Sequence, residues 1–349
     1  MPFMTFFLGF QGFRFMMFLY YFMEKEVKAL SLSLEHRKKQ YRTIYETLDR
    51  KPRIYVKDVA RRLGVDPRTA SRRMIEAYDL GIVSKSQVRK RSHANTKEYV
   101  YFVRCEYPHG MYQEYSERMD VIYHAVTGGF ADLWIISKER IDIEGDVLIE
   151  GPRSDYYTAF APNHSWDAAI QIMNRKAEEF NPDDYSPKGI IKTHWNEITE
   201  WDIEDELLYR YFKYNLRKPF TPVMKEYLIS NGKIYKWLNR LSECCTVSVR
   251  YFPEGASAYD PYLLMFETDY EDFIIDLFSE LPTSSFFFKV ADKLFMYANV
   301  DRYSLRRMGL NMSDVSQLHI PLLVDDLLKK GILRRGVDSL VKYSCSKDF

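Results

Sequence analysis

Arg68, Thr69, Ser71, Arg72 and Arg73 fall within six consecutive positions of this 349-residue chain, and together they offer the hydrogen bonds that read nucleic acid. A guanidinium donates two parallel bonds to a guanine edge in the major groove, and Ser and Thr hydroxyls bond base edges or phosphates. Catalytic chemistry has less support. His109, His124, His164 and His194 have no spacing that unites them with a nucleophile and an acid, and no Gly-rich phosphate loop is present. His93 lies in a basic loop with no Cys or Asp beside it at ligand spacing. The expectation is therefore no enzyme, no metal and no cofactor.

The donors need a helix to carry them. Val56, Val59, Ala60 and Leu63 share one helical face and leave Lys57, Arg61 and Arg62 outside it. Gly64 stops that helix, Asp66 stands where it can cap the next, and Pro67 takes the first helical position, where its missing N–H costs nothing. Ala70, Met74 and Ala77 then face inward. Residues 56–83 thus have the layout of a helix-turn-helix whose second helix presents its donors to a groove. Alternation over residues 82–88 and 99–104 predicts a β-hairpin, and its tip, with Arg89, Lys90, Arg91 and Lys97, would act as a wing on flanking phosphates.

Charge supports this placement. Residues 37–104 carry +12, whereas the whole chain carries +1, so the remainder is at −11. A segregated basic patch is the footprint of phosphate contacts. The length allows two to four domains, and 46% hydrophobic residues suffice for packed cores. Aromatic residues make up 16% and mostly suit strand-like cores. Four cysteines without CxxC spacing suggest a reducing, cytoplasmic compartment. Residues 1–22 are almost wholly apolar around Gln11 and Arg14. They read either as an over-extended start before Met23 or as a membrane anchor, and they lack the basic and small-residue signals of a cleaved leader.

Beyond the wing the pattern predicts a helix over 111–127 ended by Gly128 and Gly129, strands over 131–137 and 146–160, a helix over 165–180, a loop over 181–188 and a short strand over 189–194. With the strand leaving the wing, the order is βαββαβ, a ferredoxin-like domain over 105–195. The pattern then restarts. Helices over 205–216, 221–229 and 233–244 make a second, diverged helix-turn-helix within 200–250. Residues 251–345 give a second βαββαβ. The fold class is α+β, a winged helix-turn-helix (37–104) followed by a ferredoxin-like domain, the pair repeated.

A winged helix followed by βαββαβ resembles the Lrp/AsnC family of feast/famine transcriptional regulators. The segment Thr127-Gly128-Gly129-Phe130-Ala131-Asp132-Leu133-Trp134 is similar to the Gly-containing turn and Asp-bearing strand of that family's effector domain, and the recognition helix with Thr69, Arg72 and Arg73 is similar too. The resemblance covers about residues 37–195, with a weaker echo over 200–345. It implies a sequence-specific regulator with double-stranded DNA as partner. It also implies an amino-acid-like effector at Gly128, Gly129 and Asp132, and a pseudo-dimer or homo-oligomer. Residues 200–250 carry only +2, and Lys233, Lys236, Asn239 and Arg240 form a thinner second DNA-binding set. Two alternatives remain open: an RNA-binding protein using the winged helix and the ferredoxin-like sheets, and a membrane-anchored regulator if residues 1–22 insert.

Overall fold

The computed structural model describes residues 34–301 and 316–347; the apolar segment 1–22 lies outside them. Among the described residues no helix is long and apolar enough to cross a membrane. The fold is mixed α+β with antiparallel sheets.

Two helical clusters flank the sheet system. In the first, α1 (residues 34–50), α2 (Val56–Leu63) and α3 (Pro67–Asp79) form as the sequence spacing requires. Gly64 ends α2 in the left-handed region (φ 66°), and the Asp66 carboxylate accepts the amides of Arg68 and Thr69 to start α3. Ile44, Leu48, Val59, Met74 and Ala77 close this core. In the second, α6 (Ile203–Phe212), α7 (Phe220–Tyr227), α8 (Asn231–Asn239) and the single turn α9 (Leu241–Cys244) pack around Phe212 and Trp237, whose rings stack 5.7 Å apart.

The expected wing hairpin does not form. Strand β1 (Gln87–Lys90) pairs instead with β7 (Cys245–Ser248), in register from Gln87↔Ser248 to Lys90↔Cys245. Packing explains the exchange. Val88, fully buried, enters the second helical core, and Val249 and Tyr251 from beyond β7 enter the first, so the two clusters trade strands across a two-stranded ribbon.

Among the described residues, the remaining strands make one nine-stranded sheet. In chain order they are β2 (Tyr99–Arg104), β3 (Val121–Gly129), β4 (Leu133–Ser137), β5 (Asp146–Pro152), β6 (Tyr157–Thr158), β8 (Tyr259–Glu267), β9 (Phe286–Val290), β10 (Lys293–Asp301) and β11 (Arg335–Ser346). The spatial order is β5-β2-β4-β3-β11-β8-β10-β9-β6. Each half therefore repeats the order fourth-first-third-second, and the halves join edge to edge where β3 pairs with β11. Alternation along the strands sends Val100 and Phe102 inward and Tyr101 and Val103 outward. The inward rings come from both halves, with Phe102 stacked on Phe295 at 4.4 Å and Trp134 on Phe288 at 5.8 Å. Outside lie α4 (Pro108–Glu117) on one half, and α5 (Trp166–Glu179), α10 (Glu271–Phe278) and α11 (Ser316–Lys329) on the other.

Two expected elements differ. The helix over 111–127 stops at Glu117, and 121–129 is strand β3, because Val121, Tyr123 and the residues after them gain cross-strand partners in the middle of a sheet. Residues 189–194 form no strand: the amides of Lys188, Gly189 and Ile190 donate to the Asp272 carboxylate, which leaves them none for a ladder. Between β4 and β5 the first half also has no helix, and α5 packs on the second half instead.

The sheet closes on itself at Arg153. Beyond β5 the chain bridges to β9 (Arg153↔Val290) and continues as β6, paired with β9. Arg153 is fully buried; its Nε and Nη2 donate to Glu98 Oε2 at 2.9 and 2.5 Å, and Nη2 also donates to the Lys90 carbonyl. Burial penalises this charge, but Glu98 overrides it and holds the Arg153 pKa above its ordinary value. Arg153→Met should therefore destabilise the protein by about 3–5 kcal/mol by stranding the Glu98 carboxylate, with Arg153→Met/Glu98→Met recovering part of the loss. Urea unfolding checks this, and equal stabilities for the single and double variants would contradict it.

Candidate ligand chamber

Between the β1–β7 ribbon, α6 and one mouth of the closed sheet lies a cavity of about 650 Å³. Both halves line it. Tyr123, Trp134 and Tyr156 come from the first half and Phe286, Tyr297 and Ser344 from the second, while Tyr209 of α6 covers it. Phe286 and Tyr297 stack at 4.8 Å with planes 12° apart, and Tyr123 meets Trp134 edge-on at 4.8 Å, so the wall is built of flat aromatic faces.

Its charge is one-sided. Among the described residues, Arg89, Lys90, Lys97, Lys138, Arg210, Lys213, Arg250 and Lys347 line it against two carboxylates, Glu98 and Glu206. Both carboxylates are engaged. Glu98 holds Arg153, and Glu206 holds Lys90 at 2.5 Å and Arg210 at 3.0 Å. Burial raises the Glu206 pKa, but Lys90, Trp201 and Arg210 together outweigh it and lower it, so the carboxylate stays ionised.

Arg250 carries its charge into this wall from the flank just beyond β7. Ser84 fixes its backbone from both sides, through Ser84 N–H to the Arg250 carbonyl and Arg250 N–H to Ser84 Oγ, each at 2.8 Å. Its side-chain Nε is buried and has no hydrogen-bond partner. The surface it retains faces the cavity. Burial lowers its pKa, Arg89 adds to the shift, and Tyr297 and Tyr123 oppose it. Arg250 lines the cavity, and an anion there would compensate the charge that burial disfavours. Burial also drives the hydroxyl pKa values of Tyr123, Tyr156, Tyr209 and Tyr297 upward, so the phenols facing the cavity keep their protons.

The sequence-derived site residues are dispersed. Arg68 and Arg72 are exposed on α3, with Thr69 and Ser71 half-buried, and Lys57 lies over the Tyr55 ring. Arg73 is tied to Gln40 and to Glu76. Arg89, Lys90 and Lys97 face the cavity, and Arg91 binds Asp155 at 2.6 Å. In α8, Lys233 binds Asp202 and Asp205 at 2.5 and 2.8 Å, and Lys236 and Arg240 face Glu200; Asn239 is exposed. The effector-type turn lies at the end of a strand. Gly128 and Gly129 end β3 rather than a helix, Gly129 (φ 150°) leaves no room for a Cβ against the Asp338 carbonyl, and Asp132 accepts the Cys105 amide. His93, expected to stand alone, stacks on His194 at 4.7 Å. Arg250, Lys213 and the tyrosines lie on five different elements or their flanks, and no local spacing in the sequence marks them.

No family model and no curated protein matches the chain. Two solved structures of siroheme decarboxylase NirDL are similar to it: one at 10% identity and a TM-score of 0.48, and one, in complex with an iron-uroporphyrin III analogue, at 12% and 0.46. Each alignment covers 88% of this chain and 92% of the other. The expectation of a sequence-specific regulator, not an enzyme, with double-stranded DNA as partner is corrected here. The wing meant for DNA phosphates is turned inward, with Arg89, Lys90 and Lys97 lining a cavity and Arg91 paired with Asp155.

His124 on β3 is fully enclosed, on the face of the sheet beneath Tyr112. Burial, reinforced by Lys347, lowers its pKa to about 4 from 6.5. As pH falls from 6.5 toward 4, the unfolded chain takes up a proton that the folded chain refuses, so stability drops through that window. His124→Gln should flatten the part of the pH–stability profile between pH 6.5 and 4 that this group supplies. Denaturation midpoints measured across that range check it, and parallel profiles for the two proteins would refute the assignment.

Proposed function

We propose that the chamber is the active site of an enzyme whose substrate is a large, flat polycarboxylate of the tetrapyrrole class. One observation carries the reading: the partly buried Arg250 guanidinium, its Nε without a hydrogen-bond partner, lines a cavity of about 650 Å³ whose two carboxylates among the described residues are already paired. Such a cavity suits an anion that brings several negative charges, and its aromatic walls suit a ligand with an extended flat face. A tetrapyrrole with acetate and propionate arms combines the two.

The reaction that fits is loss of carbon dioxide from a carboxymethyl arm, in which the departing carboxylate is replaced by a proton and nothing is oxidised. The chain's part is to seat the arms against Arg250, Arg89 and their neighbours and to keep protonated phenols at the cavity wall. The repeated strand order supports reading the chain as a tandem pair of Lrp/AsnC-like units, with the chamber where the two meet.

Absorption titration with iron-uroporphyrin III tests binding, and mass spectrometry of the recovered tetrapyrrole tests turnover by the loss of carbon dioxide. Arg250→Gln should weaken binding by about 2 kcal/mol, roughly thirtyfold, as loss of a charge-assisted hydrogen bond does. A porphyrin without carboxylate arms should bind weakly and be indifferent to the substitution. Equal affinity of the wild type and Arg250→Gln for the carboxylated ligand would refute the assignment.

A further inference from the structure

Two short turns stand side by side next to the chamber, one beginning at His93 and the other at His194. Each closes on itself, through Thr96 N–H to the His93 carbonyl and Glu197 N–H to the His194 carbonyl. They are laced together by Ala94 N–H to the Glu197 carbonyl and by a reciprocal pair between Asn95 and Thr199. That lacing fixes the two imidazoles against each other, 4.7 Å apart and 20° from parallel.

The polar atoms here are under-used. His93 is 6% exposed, and its Nδ1 is buried with no hydrogen-bond partner. His194 Nδ1 lies 2.8 Å from Glu197 Oε2, and its Nε2 lies 3.3 Å from Asp155 Oδ2. One donor atom from each of His93, His194 and Glu197 can be chosen so that all three fall within 4.8 Å of one another.

We infer that His93, His194 and Glu197 form a binding site for a zinc-like divalent transition metal ion, which fastens the two turns at the chamber wall. Two imidazoles and a carboxylate are a ligand set such ions accept, with a fourth position left for water. Asp155 is placed to orient His194 from its far side, as carboxylates behind ligating histidines do, and it is itself held by Arg91 and by the Ser92 amide. Ligand atoms in a closed tetrahedral zinc shell are about 3.3 Å apart, so binding draws the three donors inward by rotating the rings out of their stack. The turn continues from His93 into Asn95, Thr96, Lys97 and Glu98, all of which line the chamber, so the ion would stiffen that wall without touching the substrate.

The test uses the full chain freed of metal by chelation, with cobalt(II) and zinc(II) alone as probes and no tetrapyrrole present, so that its failure is separate from failure of the substrate assignment. One equivalent of cobalt should bind with the visible bands of a tetrahedral site, and zinc should displace it and raise the thermal midpoint. His93→Ala and His194→Ala should abolish binding. Glu197→Ala, at an exposed position that the fold tolerates, should weaken it by about tenfold or more. X-ray absorption of the zinc-loaded wild type should count two imidazoles, a readout that needs no variant to fold. No bound equivalent, a shell without imidazole, or unchanged affinity in Glu197→Ala would overturn the inference.

Discussion

Arg153 and Glu98 sit where three parts of the chain must meet. Glu98 precedes β2, Arg153 follows β5 and bridges to β9 of the other half, and the guanidinium also reaches the carbonyl of Lys90 in the ribbon. An ion pair in a dry interior offsets its desolvation only when the geometry is good and the remaining hydrogen-bonding capacity is used. Here Nε, Nη1 and Nη2 all find oxygen acceptors, and the Tyr156 ring lies 4.1 Å from the guanidinium carbon. Sheet closure and the position of the chamber both follow from this junction, because the strands that bring Tyr156 and Phe286 to the cavity are those that Arg153 joins.

Closure has an electrostatic consequence. Once the ribbon is folded over the sheet mouth, the basic residues of β1 and the loop after it face inward, and the protein must hold several cations around one cavity. Among the described residues, Arg89, Lys97 and Arg250 line the cavity beside Glu98 and Glu206, and both carboxylates are already committed to Arg153, Lys90 and Arg210. Low local dielectric strengthens every interaction there, so the same arrangement that costs stability in the empty protein favours a polyanionic ligand. The aromatic wall adds shape selection, since stacked and edge-on rings present flat apolar area that a compact anion could not use.

The local +12 over residues 37–104 was a correct reading of composition that led to an incorrect partner. A charge count says that cations are near one another in sequence, and it is silent on whether they face solvent. Arg68 and Arg72 do face it, while Arg89, Lys90 and Lys97 face a cavity that exists only because β1 pairs with β7, 150 or so residues away. The second helix-turn-helix shows the same effect. Its Lys233, Lys236 and Arg240 are matched by Glu200, Asp202 and Asp205 at the start of α6, which lie some thirty positions earlier in the chain.

Local interactions were legible in the sequence. The turn at Gly64, the Asp66 and Ser165 caps, the buried faces of α2, α3 and α5, and the β-α-β-β-α-β order of the second half all arise from contacts within a few residues, where spacing and residue type decide the energy. Choices between distant partners were not legible. Residues 121–129 suit a helix or a strand by pattern, and only their neighbours β4 and β11 select the strand; β1 could have paired with β2, and the exchange of Val88 for Val249 and Tyr251 between two cores sends it to β7. Arg250, His93 and His194 acquire meaning in the same way. Nothing adjacent in sequence marks them, and it is tertiary packing that leaves an Arg250 Nε unpaired at a cavity and sets two imidazoles from separate turns face to face.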